Sequence, residues 1–387
     1  MKKAVISLAC VLSFLCSSCD FINGLFLDLT PDTTRIDHIT QTFSITDDLL
    51  YMGCWHDGYE PSTFVIDTEK KDILSRIYYG NNGNEYSPVQ VKAYENRLWM
   101  LGTTMSKKLL IFNTETGKTE NVITFEEDNV HKMNFLTSLD RLAIMHGNGY
   151  DKGFSVSLIS LSEKKYDRIV YIPELAPNLL DKDGVIYGSL GNPYDNPNRG
   201  FGTYSLDSDA FNFTRIFFAD RDSDALLNEI ADTQKFLVLD DGTYVVCDNR
   251  IGLRICYPDK SESELYIDND PYDPDIGNYK RVENIYYSKK YDRIYVGTKP
   301  VYLTEEVPAH FFRFAEKDNN GKWKWNQETI LPYEQRSLET TTKILMNKET
   351  IADTFNDGDY FVVRFYDIEK FEFQKEVRWN LLTDVKG

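Results

Sequence analysis

Basic residues are in deficit in this chain of 387 residues: 43 Lys and Arg stand against 61 Asp and Glu, a formal charge of −18. The summed field of such a chain repels phosphate backbones and anionic headgroups, so nucleic acid is not an expected partner. Cysteine is sparse as well. Of six, Cys10, Cys16 and Cys19 fall in the first nineteen residues, which leaves Cys54, Cys247 and Cys256. Three is an odd number and no disulfide framework. Cys247 and Cys256 flank one predicted hairpin and either pair across it or remain as two buried thiols. Histidine is limited to His38, His56, His131, His146 and His310, none at metal-ligand spacing. Gly-x-Ser-x-Gly, HExxH, a P-loop and a dinucleotide fingerprint are all missing. Their absence excludes enzymes legible from a local motif, though not a site assembled from distant residues. What is plentiful is ring-bearing side chains. Tyr (25) and Phe (23) suit strands better than helices, and 42% hydrophobic residues suffice for a substantial core.

The N-terminus reads as a targeting signal. Lys2 and Lys3 precede a short apolar run, Ala4 to Leu15, which ends in Ser17-Ser18-Cys19. A dozen apolar residues are too few to span a bilayer as a mature helix and match a secretory signal. Small residues directly before a Cys resemble the bacterial lipoprotein signal, so Cys19 is the expected lipidation site. Cys16, preceded by the bulkier Phe14-Leu15, is the rival. Residues 1–18 are then the signal peptide, 19–35 a tether, and 36–387 one domain. No later segment is long and apolar enough for a membrane span.

A repeat runs through that domain. Its clearer half is a strand, a turn rich in Asp, Glu, Lys, Ser or Gly, and another strand. It recurs as TFVIDTEKKDILSRIYY from Thr63, LLIFNTETGKTENVITF from Leu109 and SVSLISLSEKKYDRIVYI from Ser155. FGTYSLDSDAFNFTRIFF from Phe201, LRICYPDKSESELYID from Leu253, FFRFAEKDNNGKWKWNQETIL from Phe311 and VVRFYDIEKFEFQKEVRW from Val362 complete seven copies. A looser half, a polar turn before a strand, appears in ENRLWMLG, LDRLAIMHG, KDGVIYGSL, DDGTYVVCD and YDRIYVGT. Polar pairs such as Asp-Gly between apolar runs signal hairpins, and alternation at period two signals half-buried strands. Only Asp224 to Thr233 has a brief helical look. Four-stranded units spaced ~40–50 residues apart predict an all-β fold, a β-propeller of seven blades by count. Ring closure shields the edges of its sheets, where two stacked β-sandwiches would need no sevenfold recurrence.

Two stretches carry a family resemblance. YYGNNGNEYSPVQV from Tyr78, followed by RLWMLGTTMSKKLLIFNTETGK, resembles the TolB-like β-propeller lipoproteins widespread in Bacteroidetes. Gly80, Gly83, Glu85 and Tyr86 match that family's Gly-rich acidic inter-blade turn, with Asn84 in place of its Pro. RVENIYYSKKYDRIYVGT from Arg281 is similar to its penultimate blade. The resemblance implies a propeller and a lipoprotein, and no chemistry. It also makes six blades the alternative count.

Propeller topology names the face where function belongs. Connections between second and third strands, and between blades, leave one face and are long here; the hairpin turns on the other are tight. The expected ligand-binding set on the long-loop face is Trp55, His56, Tyr59, His146, Tyr150, Tyr194, Arg199 and Tyr302, since exposed rings stack on sugars or anchor a protein. The competing reading has these rings packing loops against one another. His56 and His146 are the acid–base candidates, against a solvated loop His. Asp220, Asp222, Asp224 and Asn228 stand at positions 1, 3, 5 and 9 of a Ca²⁺ loop, although Ala225 and Ala231 replace its Gly and its final carboxylate. Asp-rich turns also cap strand ends and helices, the simpler role for these residues. The functional expectation is a lipid-anchored, monomeric, non-enzymatic binding or assembly scaffold in the bacterial cell envelope. A carbohydrate-binding lipoprotein and a metal-dependent hydrolase or lyase with its site at the central channel are the alternatives.

Overall fold

The structure is a computed structural model. It describes residues 40–55, 62–78, 88–102, 107–126, 130–146, 154–172, 178–190, 200–217, 235–248, 252–258, 280–300, 310–326, 329–331, 343–357 and 360–380. Among these residues twenty-eight strands form seven sheets, each an antiparallel meander read in chain order. Blade 1 is β1 (Thr40–Ile45), β2 (Leu49–Trp55), β3 (Ser62–Asp67) and β4 (Asp72–Tyr78). Blade 2 is β5 (Pro88–Tyr94), β6 (Arg97–Gly102), β7 (Lys108–Asn113) and β8 (Lys118–Thr124). Blade 3 is β9 (Val130–Leu136), β10 (Arg141–His146), β11 (Phe154–Ser160) and β12 (Lys165–Ile172). Blade 4 is β13 (Leu179–Lys182), β14 (Val185–Leu190), β15 (Gly200–Leu206) and β16 (Phe211–Phe217). Blade 5 shows β17 (Lys235–Val238), β18 (Tyr244–Asp248) and β19 (Gly252–Cys256) among the described residues. Blade 6 is β20 (Lys280–Ser288), β21 (Arg293–Pro300) and β22 (His310–Lys317), with an outer strand in two pieces, β23 (Trp323–Trp325) and β24 (Thr329–Leu331), both paired to β22. Blade 7 is β25 (Lys343–Met346), β26 (Thr350–Asp357), β27 (Tyr360–Asp367) and β28 (Phe373–Asn380). The molecule is a seven-bladed β-propeller, so neither six blades nor two stacked sandwiches describes it.

A sheet in this ring has no solvent face until its outermost strand. In β10, Leu142 and Ile144 pack toward blade 2, while the alternate Ala143 and Met145 pack toward blade 4. In β6, Leu98 and Met100 face blade 1 and Trp99 and Leu101 face blade 3. Such strands are apolar on both faces, and their sequence is a continuous run rather than the alternation of a half-buried strand. Only fourth strands such as β8 and β12 are largely exposed.

Every junction between blades is therefore a hydrophobic core of its own. Six apolar clusters each straddle two neighbours: blades 1–2, 2–3, 3–4, 5–6, 6–7 and 7–1. At the remaining junction, 4–5, Phe201 meets Phe236 at 4.9 Å and Tyr244 at 5.2 Å between ring centroids. Each fully buried Leu, Ile or Phe contributes ~1.5–3 kcal/mol, so the junctions dominate stability. The ring closes without exchanging a strand. Blade 1 is wholly N-terminal and blade 7 wholly C-terminal, and Leu50, Met52, Phe64 and Ile66 of one pack on Phe361, Val363 and Phe365 of the other.

The third-to-fourth strand hairpin repeats a single design. In blades 1, 2 and 7, Asp67, Asn113 and Asp367 accept two backbone N–H groups each through Oδ1, at 2.7–2.9 Å. Ser160 Oγ does this once in blade 3. Four residues later the chain turns left-handed, at Lys71 (φ 57°), Gly117 (φ 67°), Lys164 (φ 56°) and Phe371 (φ 59°). That residue's N–H returns to the carbonyl of the first. Asp and Asn favour such turns because a short side chain can satisfy the reversing backbone.

Cys247 and Cys256 do not pair. On the β18–β19 ladder Cys256 stands opposite Tyr244 and Cys247 opposite Leu253. The offset of three residues places them on opposite sheet faces and ~10 Å apart, beyond disulfide reach. Cys256 is a buried thiol.

Candidate functional site

The first strand of each blade stands at the hub. Polar side chains on or beside them tie blades together at six of the seven junctions among the described residues. Ser44 Oγ accepts Ala93 N–H, Gln90 Oε1 accepts Met133 N–H, and Asn134 Oδ1 accepts Leu179 N–H. Lys182 donates to Val238 O, and Asn284 Nδ2 to Ile344 O. Asn347, just past the end of β25, closes the circle by donating to Thr46 O, Asp47 O and Thr68 Oγ1 at 3.2, 3.0 and 3.1 Å. These bonds fix the hub as a rigid cylinder, because a buried amide that loses its partner costs ~1–3 kcal/mol.

The meander order sorts the connections. First-to-second and third-to-fourth turns lie on one face, and all other connections leave from the opposite face. The turn face is laced by ion pairs between blades. Glu120 of blade 2 takes Arg97 at 2.8 Å, Lys164 of blade 3, and Asn113 at 2.6 Å. Arg97, then Lys164 and Asn113, hold its carboxyl down at about 2. Asp240 of blade 5 joins Lys182 of blade 4 and Lys289 of blade 6, at 2.7 and 2.8 Å, and these lysines hold its carboxyl at about 2. Lys290 meets Glu349 across blades 6–7 at 3.2 Å, while Lys348–Asp48 and Lys375–Asp72 cross the seam from blade 7 to blade 1. These pairs join neighbouring blades on the turn face, and the longer connections leave from the opposite face.

Of the residues expected on that opposite face, two fall among the described ones. Trp55 ends β2, opposite Thr40 in the ladder, and His146 ends β10; both strand ends open onto the long-loop face, two blades apart. His146 corrects the expectation. Its ring is 2% exposed, with Nε2 2.9 Å from Ser157 Oγ and its edge toward Phe125 at 5.3 Å. Ser157 is fully buried. The pair anchors β10 to β11 inside blade 3, a buried setting in place of the exposed one expected. His56, Tyr59, Tyr150, Tyr194, Arg199 and Tyr302 lie outside the described residues. So do Cys19, the calcium-loop residues Asp220, Asp222, Asp224 and Asn228, and the helical stretch 224–233. Among the described residues no three His, Cys, Asp or Glu side chains gather closely enough to hold a metal ion.

Sequence reading passed over the hub itself. Lys92 of β5 is half-buried. Burial, and then the like charge of Lys132 on β9, bring it down to about 8. In sequence it is a lysine within the first strand VQVKAY, beside Gln90.

No protein-family model matches the chain, and no curated protein matches it. Solved structures do. A functionally unknown protein from Desulfotomaculum acetoxidans is similar at 12% identity over 82% of this chain and 92% of that one, with a TM-score of 0.52. The WD40 repeats of RRP9 follow at 10% identity, 84% and 87% coverage and 0.50. Hsv2 of Kluyveromyces lactis stands at 9% identity, 88% and 98% coverage and 0.50. At such identities the likeness is one of fold alone, a β-propeller.

Proposed function

We propose that this protein is a lipid-anchored β-propeller outside the cytoplasm, in the bacterial cell envelope, where it serves as a non-enzymatic binding or assembly scaffold. One observation carries the scaffold reading: a closed ring of seven blades, its turn face cross-linked by ion pairs between blades, with the longer connections leaving the other face. A rigid frame with one uncommitted face favours recognition over chemistry. Anchoring rests on Lys2 and Lys3, the apolar run that follows and Cys19. Several acyl chains there give stable attachment, since each buried CH₂ adds ~0.8 kcal/mol. The stretches from Tyr78 and from Arg281 support kinship with the TolB-like lipoproteins of Bacteroidetes.

Both halves are open to experiment. Cells fed an alkyne-bearing fatty acid should label the wild-type protein and not Cys19→Ser, which should leave the membrane fraction. An unlabelled, soluble wild type rejects the anchor. For the scaffold, in-cell photo-crosslinking should lose its partner bands in Trp55→Ala/Tyr194→Ala and keep them in Lys70→Ala on the turn face. Partner bands that survive the double substitution refute the assigned face.

A further inference from the structure

One outer strand departs from the pattern of the others. In blades 1, 2, 3 and 7 a β-bulge in the ladder between third and fourth strands decides which outer residues face the preceding blade. In blade 3 these are Tyr166, Ile169 and Tyr171, opposite Ile159, Ser157 and Ser155 of β11. Without the bulge at Asp167 the period of two would send Tyr166 to the other face. With every contact in the chain counted, the three are 44%, 43% and 43% exposed. The same positions hold Ile73 and Arg76 in blade 1, Thr119, Val122 and Thr124 in blade 2, and Phe373, Glu376 and Arg378 in blade 7. There a charge or a threonine interrupts the apolar surface, as sheet edges require. Blade 3 sets ring, aliphatic and ring in one row.

The strand's charge is also exceptional. Lys165 and Arg168 are exposed beside the row, while the strand's one acid, Asp167, is held by Arg141 at 2.9 Å and Arg168 at 3.4 Å. On a chain of −18 this strand is net positive.

Size and edge chemistry narrow the occupant. A fully buried Tyr covers about 150–250 Å², so three side chains less than half exposed offer roughly 300 Å². A stable protein interface takes about 800 Å² from each partner. Strand addition is obstructed as well, because Tyr171 N–H already donates to Asp209 O at 2.8 Å and Tyr171 bridges to Ala210 of blade 4. A bilayer suits the row: Tyr rings lie at headgroup level, Ile enters below them, and the flanking cations reach the phosphates.

We propose that the outer strand of blade 3 rests on the lipid surface, as a second contact for a chain that its acyl group already holds there. This deepens the anchored reading. A weak contact is enough, because attachment raises its effective concentration. Thr40 is twenty-one residues beyond Cys19, a contour of at most about 70 Å, so the rim is within reach of the bilayer. The ring then stands on its rim, with the long-loop face open sideways.

Flotation of the acyl-free chain, residues 36–387, with phosphatidylethanolamine–phosphatidylglycerol vesicles tests this contact apart from the anchor, since all seven sheets lie within that span. Wild type should float at millimolar lipid. Tyr166→Ser/Ile169→Ser/Tyr171→Ser should lower the bound fraction at least tenfold, and Ile73→Ser on blade 1 should leave it unchanged. Should the triple variant fail to fold, hydrogen exchange on wild type decides: vesicles should slow exchange in residues 165–172 and not in 72–78. The proposal is overturned by a wild type that stays at the bottom, by a triple variant that floats equally well, or by a wild-type dimer that the triple variant loses. Flotation that persists when Cys19 proves unlabelled would remove the anchor and keep this contact.

Discussion

Asn347 carries more of the ring than its size suggests. Its amide donates to three oxygens of blade 1, and its Oδ1 accepts Glu349 and Thr350 N–H at 3.2 and 2.9 Å. It is 4% exposed, so Asn347→Ala would leave carbonyls and amides of both blades without partners. Urea denaturation should show a loss of ~2–3 kcal/mol, where an exposed turn Asn would cost a few tenths. Glu120 acts through charge instead. Its carboxyl lies below its ordinary value in the folded chain, so its stabilisation is full above about 4.5 and fades as pH falls through about 2. Glu120→Gln should therefore lower the melting temperature at pH 7 and match wild type near pH 2. Water reaches this pair, so the pH 7 deficit should be only ~1 kcal/mol. A gap that persists unchanged at acid pH would contradict the ion-pair account.

At the scale of the element, the left-handed turn residue invites a comparison inside the molecule. Blade 2 places Gly117 where blade 1 places Lys71, and a Cβ in that region costs ~1–2 kcal/mol. Lys71→Gly should raise the melting temperature, because its ammonium reaches only the exposed Glu69 carbonyl. A drop would mean that unfolded-chain entropy outweighs the relief of strain. Gly297 answers to a different constraint. A Cβ there would stand 2.8 Å from Ile344 of the next blade, so Gly297→Ala should push blades 6 and 7 apart and destabilise the chain. These turns were the legible part of the fold. Asp67, Asn113 and Asp367 announce their hairpins because local side-chain-to-backbone bonds need only neighbouring residues. The first halves of blades 1 and 7 were harder to read: Asp47-Asp48 and Asn347-Lys348-Glu349 join their strands without the Asp-Gly pair that marks blades 4 and 5. The site was less legible again. His146 has the sequence context of a loop histidine, and only the facing Ser157 and Phe125, brought in by folding, make it a core residue. Lys92 is lowered first by burial and then by Lys132, which stands on another blade, and neither is written in its own strand.

For the whole molecule, the circular arrangement makes each blade depend on both neighbours. Removing residues 343–387 would strip the partners from two apolar clusters, baring Leu50 and Met52 on one side and Tyr295 and Phe312 on the other. Size-exclusion chromatography should then find aggregate rather than a six-bladed monomer, with strong binding of a hydrophobic dye. A well-behaved monomer would show that the ring can close one unit short. The seam without strand exchange has a consequence for how the chain is made. Each sheet draws its strands from one contiguous stretch, as blade 1 does from residues 40–78, so its pairing is local and fast to form. A polypeptide emerging from the ribosome or a translocation pore can complete every sheet in turn, and nothing already assembled waits for the last residues except the final lateral docking of 343–380 onto 40–78. Stalled intermediates should therefore gain protease resistance one blade at a time from the second onward, and only release of the finished chain should protect the first.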